Sequence, residues 1–163
     1  MSFHDQLKNK IVAREDAFRI INGQRLKGRK IIFTNGCFDI LHPGHVDYLT
    51  QARDLGNFLV LGLNTDSSVK RLKGNERPVN NEGDRALLLA SLLCVDAVCL
   101  FEEDTPLSII KAINPDVLVK GGDYTKETIV GAAEVEANGG KVVIVPFVSG
   151  YSTTDTLRQI KQL

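Results

Sequence analysis

Short apolar runs bounded by polar, glycine-bearing breaks recur along the chain, and between them lie segments whose apolar residues return at helical spacing. Ile31–Thr34, Phe58–Leu63, Ala97–Phe101, Val117–Lys120 and Val142–Val145 read as five strands buried on both faces. Helices are expected from Pro43 to Arg53, Asp84 to Leu93, Pro106 to Ile113 and Glu127 to Asn138. A last helix runs from a Ser152 or Thr153 cap to about Gln162. The breaks are Gly56-Asn57, Asn114-Pro115, Gly121-Gly122 and Gly139-Gly140, with a polar, basic stretch from Asn64 to Asn80. Strands and helices in this alternation make right-handed β-α-β units with helices on both faces of the sheet. The expected architecture is α/β, a Rossmann-like three-layer sandwich around a five-stranded parallel sheet. It occupies residues 29–163, and residues 1–28 form an added amphipathic helix with Ile11, Phe18 and Ile21 on its apolar side.

At 163 residues the chain fits one domain with a sizeable core. Twenty basic residues balance twenty acidic ones, which removes the global electrostatic argument for a nucleic-acid or membrane-surface partner. The first thirty residues are locally basic, with eight Lys or Arg against three Asp or Glu. Cys37, Cys94 and Cys99 are odd in number and lack zinc-like spacing, and the N-terminus lacks the plan of a signal peptide, so a reducing, cytoplasmic setting is expected.

In parallel sheets of this kind ligands bind beyond the carboxyl ends of the strands. Asn35-Gly36, Asn64-Thr65-Asp66, Gly121-Gly122-Asp123 and Ser149-Gly150-Tyr151 each follow a strand and should meet on one rim. His42-Pro43-Gly44-His45 opens a helix there. Its two imidazoles lie three residues apart on one face beside the positive helix end, and Gly44 lets a phosphate approach the backbone. Packing or a helix cap would also account for the pair, whereas a zinc site lacks ligands beyond Cys37 and Asp39. No Gly-x-Gly-x-x-Gly follows the first strand, which argues against a dinucleotide oxidoreductase.

The run from Asn35 through Gly36, Cys37, Phe38, Asp39, Ile40, Leu41, His42, Pro43 and Gly44 to His45 resembles the signature of the cytidylyltransferase-like nucleotidyltransferases. These join a nucleoside monophosphate to a phosphorylated acceptor. Val69–Gly74, Arg77-Pro78-Val79-Asn80, Phe101–Pro106, Asn114–Tyr124 and Gly150–Thr154 narrow the resemblance to the adenylyltransferases of ADP-heptose synthesis, which serve lipopolysaccharide core biosynthesis. In many bacteria that activity is the second domain of a bifunctional kinase and adenylyltransferase. Here a basic helix stands where the kinase would be, so a separate heptose kinase is expected.

The resemblance implies ATP with Mg²⁺ as one substrate and D-glycero-β-D-manno-heptose 1-phosphate as the other. It places His42, His45, Lys70, Lys73 and Arg85 on the phosphates. Asn35, Gly36, Cys37, Phe38, Gly44, Lys120, Gly121, Asp123, Tyr124, Ser152, Thr153 and Thr154 would line the nucleotide site. Asp39, Asn64 and Asp66 are placed toward the acceptor, although Asp39 could equally orient an imidazole or cap the turn. Several relatives carry a basic residue shortly before the Gly150–Thr154 motif, where this chain has Pro146-Phe147-Val148-Ser149. The rival readings are a cytidylyltransferase acting on glycerol 3-phosphate or a similar acceptor, and a non-catalytic ATP sensor. The apolar surface near Phe18 suggests a homodimer.

Overall fold

A computed structural model describes residues 1–122, 124–146 and 150–162. Asp123 and Phe147 to Ser149, which carry part of two expected rim motifs, lie outside them. The elements run α1 (Phe3–Lys8), β1 (Ile11–Val12), α2 (Arg14–Leu26), β2 (Ile31–Gly36), α3 (Pro43–Asp54), β3 (Phe58–Asn64), α4 (Asp66–Lys73) and α5 (Glu82–Ala90). They continue with β4 (Ala97–Phe101), α6 (Leu107–Ile113), β5 (Val117–Gly121), a 3₁₀ turn (Lys126–Thr128), α7 (Ala132–Ala137), β6 (Lys141–Val145) and α8 (Thr153–Lys161). Every strand pairing is parallel, in the order β1-β4-β3-β2-β5-β6.

β3 lies inside the sheet and all seven of its residues are buried, which is why its sequence is a continuous apolar run without alternation. Two apolar clusters hold the layers together. One contains Ile31, Phe33, Val60 and Leu118 with Ile21 of α2 and Ile109, Ile110 and Ile113 of α6. The other sets Ile32, Leu59, Leu61 and Val119 against Leu49 and Ala52 of α3 and Ala86 and Leu89 of α5. Alternate residues of one strand thus feed opposite faces, as the pleat demands.

The N-terminal segment departs from expectation. It is two helices flanking a short strand, and that strand makes the sheet six-stranded instead of five-stranded. Asn9 caps the end of α1, and the β-branched pair Ile11-Val12 then aligns with Val98 and Cys99 on the edge of β4. Ile11 is therefore a strand residue. Phe18 is half-exposed at 52%, one position away from the Ala17–Ile21 stripe that α2 buries. Two of the basic residues are tied to the core: the Lys10 ammonium donates to the carbonyls of Val95 (2.7 Å) and Leu92 (3.4 Å), and Arg25 donates to those of Ile113 (2.7 Å) and Asn114. The Leu92 and Val95 carbonyls lie in the turn between α5 and β4, and those of Ile113 and Asn114 close the end of α6, where a cation is favoured.

Two other boundaries differ. The polar stretch after β3 contains α4, started by a Thr65 hydroxyl that accepts the Ser68 amide. The helix expected over residues 127–138 is divided into the 3₁₀ turn and α7. Between them Gly131 takes φ +86°, a value that interrupts helical backbone.

Candidate active site

β2 ends between β3 and β5, so the loop that follows it lies at the middle of the sheet's carboxyl rim. Phe38 in that loop adopts φ +44°, uncommon for a bulky residue, with its side chain buried. His42 is the extended N-cap of α3, and Pro43 follows at the first helical position, where its missing amide is no loss. The His42 and His45 rings stack at 3.8 Å between centroids with 19° between planes, and Phe38 leans on His45 at 5.2 Å.

Both imidazoles keep a buried Nδ1 with no hydrogen-bond partner among the described residues. An unsatisfied buried polar atom costs about 1–3 kcal/mol, which a bound ligand oxygen or water can return. Burial, and secondarily the His42 charge, pushes the His45 imidazole down to about 4, and burial likewise lowers His42. The pair is neutral at pH 7, a state in which each ring can donate from one nitrogen.

These shifts carry a stability prediction. The unfolded chain takes up a proton at His45 near pH 6.5, whereas the folded protein resists until about 4, so stability is whole above pH 6.5 and declines between those values as the pH falls. The wild-type Tm should drop more between pH 6.5 and 4.5 than that of His45→Asn. Parallel melting curves for the two proteins would refute the assignment.

Two adjoining cavities share His45 and Tyr48. One, of about 340 Å³, is lined by His42, Gly44, His45, Tyr48, Tyr151, Ser152 and Thr153. The other, of about 200 Å³, is lined by Asn35, Gly36, Cys37, Phe38, His45, Tyr48, Lys120, Gly121 and Tyr124. The structure thus brings together most of the residues expected at the nucleotide. Thr154 is the exception among the described ones, exposed one position further along α8.

Gly44 lies at a close approach: a Cβ there would stand 3.0 Å from the Tyr151 Cβ and 3.2 Å from the His42 Nδ1, so a side chain would push its neighbours by a few tenths of an ångström. The α8 start is fixed over it, with the Thr153 hydroxyl 3.4 Å from the Ile40 carbonyl and the Ser152 hydroxyl accepting the Asp155 amide. The Lys120 ammonium donates to the Asn35 side-chain carbonyl, and burial lowers its pKa to about 8. It remains the buried cation of the smaller cavity at neutral pH.

Tyr48 was not among the expected site residues, whereas Tyr151 belongs to the rim motif expected after the last strand. Tyr48 follows His45 by one helical turn, and its hydroxyl meets the Thr34 hydroxyl at 2.5 Å and the Val119 carbonyl at 3.2 Å, tying α3 to β2 and β5. The spacing alone puts Tyr48 on the His45 face, a signal present in the sequence. Tyr151 lies nearly parallel to the His42 ring at 6.0 Å.

Other expected site residues are either engaged by protein groups or exposed. Arg85 is completely buried. Its guanidinium donates to Asp66 (2.7 Å), the Cys37 carbonyl (2.6 Å) and the Asn80 carbonyl (3.0 Å). Asp66 is thereby engaged, and Asn64 is buried with its amide on the Ser68 hydroxyl at 2.9 Å. Asp39 neither orients an imidazole nor caps its own turn, but accepts the Val79 and Asn80 amides and the Arg77 guanidinium. Lys70 and Lys73 are exposed on the last turn of α4, and the Lys73 charge reaches the Cys37 thiol.

A parallel sheet whose central strand delivers a paired-imidazole helix start, next to a hydroxyl-capped second helix and a buried lysine, is the arrangement of the α/β nucleotidyltransferases. The chain belongs to the cytidylyltransferase-like family, which it matches over residues 33–158, and is a nucleotidyltransferase. It is 55% identical over 157 residues to the bifunctional protein HldE of Trichlorobacter lovleyi, covering 96% of this chain and 32% of that protein. It is 64% identical over 130 residues to HldE of Hyphomonas neptunium, covering 80% and 27%. The chain therefore spans about a third of the length of these relatives. Among solved structures it resembles a lipopolysaccharide core biosynthesis protein from Thermoplasma volcanium, with TM-score 0.61 and 29% identity over 77% of this chain and all of the other. Pantoate-beta-alanine ligase from Francisella tularensis shares the fold at TM-score 0.63 with 16% identity, covering 94% of this chain and 78% of the ligase. Among the described residues no helix is long and apolar enough to cross a membrane.

Proposed function

We propose that the protein transfers AMP from ATP to D-glycero-β-D-manno-heptose 1-phosphate, giving ADP-heptose and pyrophosphate. The observation that carries the reading is the neutral, stacked His42–His45 pair, each with an unpartnered Nδ1 among the described residues, set where the two cavities join. The heptose rests on the identity to HldE proteins.

An oxygen of the acceptor phosphate forms the new bond to the α-phosphorus as the bond to the bridging oxygen breaks, and the electron pair leaves on pyrophosphate. The acceptor oxygen is already anionic, so no proton has to be removed. His42 and His45 donate hydrogen bonds to oxygens on which charge accumulates, and Ser152, Thr153 and the free amides of the α8 start hold the outgoing phosphates. Lys120, with Asn35 and Tyr124, holds the nucleoside end of ATP.

Mg²⁺ accompanies ATP, offsetting the charge of its phosphates. A heptose kinase activity supplies the sugar phosphate in the cytoplasm, and the enzyme works as a homodimer.

The test is pyrophosphate release by the purified chain with Mg²⁺ and either ATP or CTP, with and without heptose 1-phosphate. Release is expected only with ATP and the heptose together. Release confined to CTP overturns the substrate, and ATP binding without any release overturns the reaction.

A further inference from the structure

Transfer to a sugar phosphate needs a cation for the acceptor's phosphate, and Arg85, expected on the phosphates with Lys70 and Lys73, is wrapped by protein oxygens. Lys70 and Lys73 are exposed on long stems, able to attract an anion but not to fix its position. A further cation is held rigidly beside the rim. Arg77, with 18% of its side chain exposed, donates from Nε to Asp39 at 2.5 Å, and the Asp39 side chain is 1% exposed.

Asp39 is itself fixed from several directions. It accepts the Val79 amide at 2.8 Å and the Asn80 amide at 3.0 Å, while the Asn80 side chain returns a bond to the Asp39 carbonyl at 2.8 Å. Burial pushes the Asp39 carboxyl up, but these hydrogen bonds and Arg77 outweigh it and hold the group ionised. The same segment is clamped from below by Arg85 through the Asn80 carbonyl. A buried charge pair held this firmly seldom repays its desolvation as stability alone. The contact to Asp39 uses Nε, so it does not spend the outer edge of the guanidinium, Nη1 and Nη2. That edge has the fork geometry that binds a phosphate through two donors.

Position supports the assignment. Lys120 and Gly121 end β5, and Ser152 and Thr153 stand beyond β6, on one side of β2. Arg77 follows α4, which leaves β3 on the other side of β2, and its charge, like that of Lys73, reaches the Cys37 thiol at the end of β2. In-line displacement requires attacking and leaving oxygens on opposite sides of the phosphorus, so the acceptor belongs on the β3 side.

We propose that Arg77, oriented by the buried Asp39 carboxylate, binds the phosphate of the acceptor, a sugar 1-phosphate monoester, on the β3 side of the His42–His45 pair. The proposal rests on the transferase reading for its substrate, and Asp39 acts in it as a positioning residue.

The experiment compares wild type with Arg77→Lys, which keeps a charge opposite Asp39 and so preserves the fold but removes the two-donor edge. Heptose 1-phosphate binding is followed by calorimetry, and KM for heptose 1-phosphate and for ATP by pyrophosphate release. Arg77→Lys should weaken the sugar phosphate by about tenfold or more in both measurements and leave KM for ATP within about twofold. Asp39→Asn should shift the same constant in the same direction, a split that a merely structural role would not produce. Unchanged acceptor affinity, or equal weakening of ATP, overturns the proposal while leaving the transferase intact. Arg77-dependent binding of the sugar phosphate without pyrophosphate release supports the proposal and overturns the transferase. Neither binding nor release in the wild type overturns both.

Discussion

Replacing His45 by alanine should lower turnover by on the order of 10²-fold or more while the protein stays folded, the size of effect seen when one donor to a developing oxyanion is removed. The fold should tolerate the change because the ring's Nδ1 has no partner among the described residues and the imidazole bears a desolvation cost. What the ring gives up is its stack on His42 and its tilt against Phe38, a modest packing term at a partly exposed position. Single-turnover kinetics with ATP and the acceptor would separate this effect from product release. A rate within a few-fold of wild type would remove His45 from the chemistry, and a collapse of Tm would show that the ring is structural.

Arg85→Ala should have the opposite profile, a large loss of stability with activity falling only as a result. It leaves the Asp66 carboxylate without its partner and two carbonyls, of Cys37 and Asn80, without their donor. Removing one member of a buried pair costs about 3–5 kcal/mol. Arg85→Lys retains the charge but cannot reach three acceptors from one planar head, so an intermediate loss is expected. Urea unfolding alongside KM for ATP decides the matter. If the variant unfolds at the wild-type urea concentration while its KM for ATP rises, Arg85 touches phosphate after all.

The contrast between these residues shows what the sequence could display. The interior strands were legible because full burial writes itself as an apolar run, and the His42–His45 pair because i to i+3 spacing after a strand leaves little choice of face. Arg85 was conspicuous for the same reason, a cation beside Ala86 and Leu89. Its purpose was not visible, because its partners come from residues 37, 66 and 80 and meet only in the folded chain. Asp39 was hidden likewise: the amides it binds are backbone groups of a loop some forty positions later. The two-residue β1 has no periodicity to detect, and α4, short and largely polar, resembles a loop in composition. Local patterns report burial and helical faces; long-range polar pairing leaves no such trace.

The edge pairing of β1 also bears on how the chain comes to be folded. Lys10 closes its hydrogen bond to Val95 across 85 positions of sequence, and Ile11 aligns with Val98 in the same place. Contacts of that separation are slow to form because the intervening loop must be closed before they return any energy. In synthesis toward the C-terminus, Lys10, Ile11 and Val12 have no docking place until β4 has been made, so these residues are among the last to settle. Truncating them should therefore change the completion of folding more than its early steps.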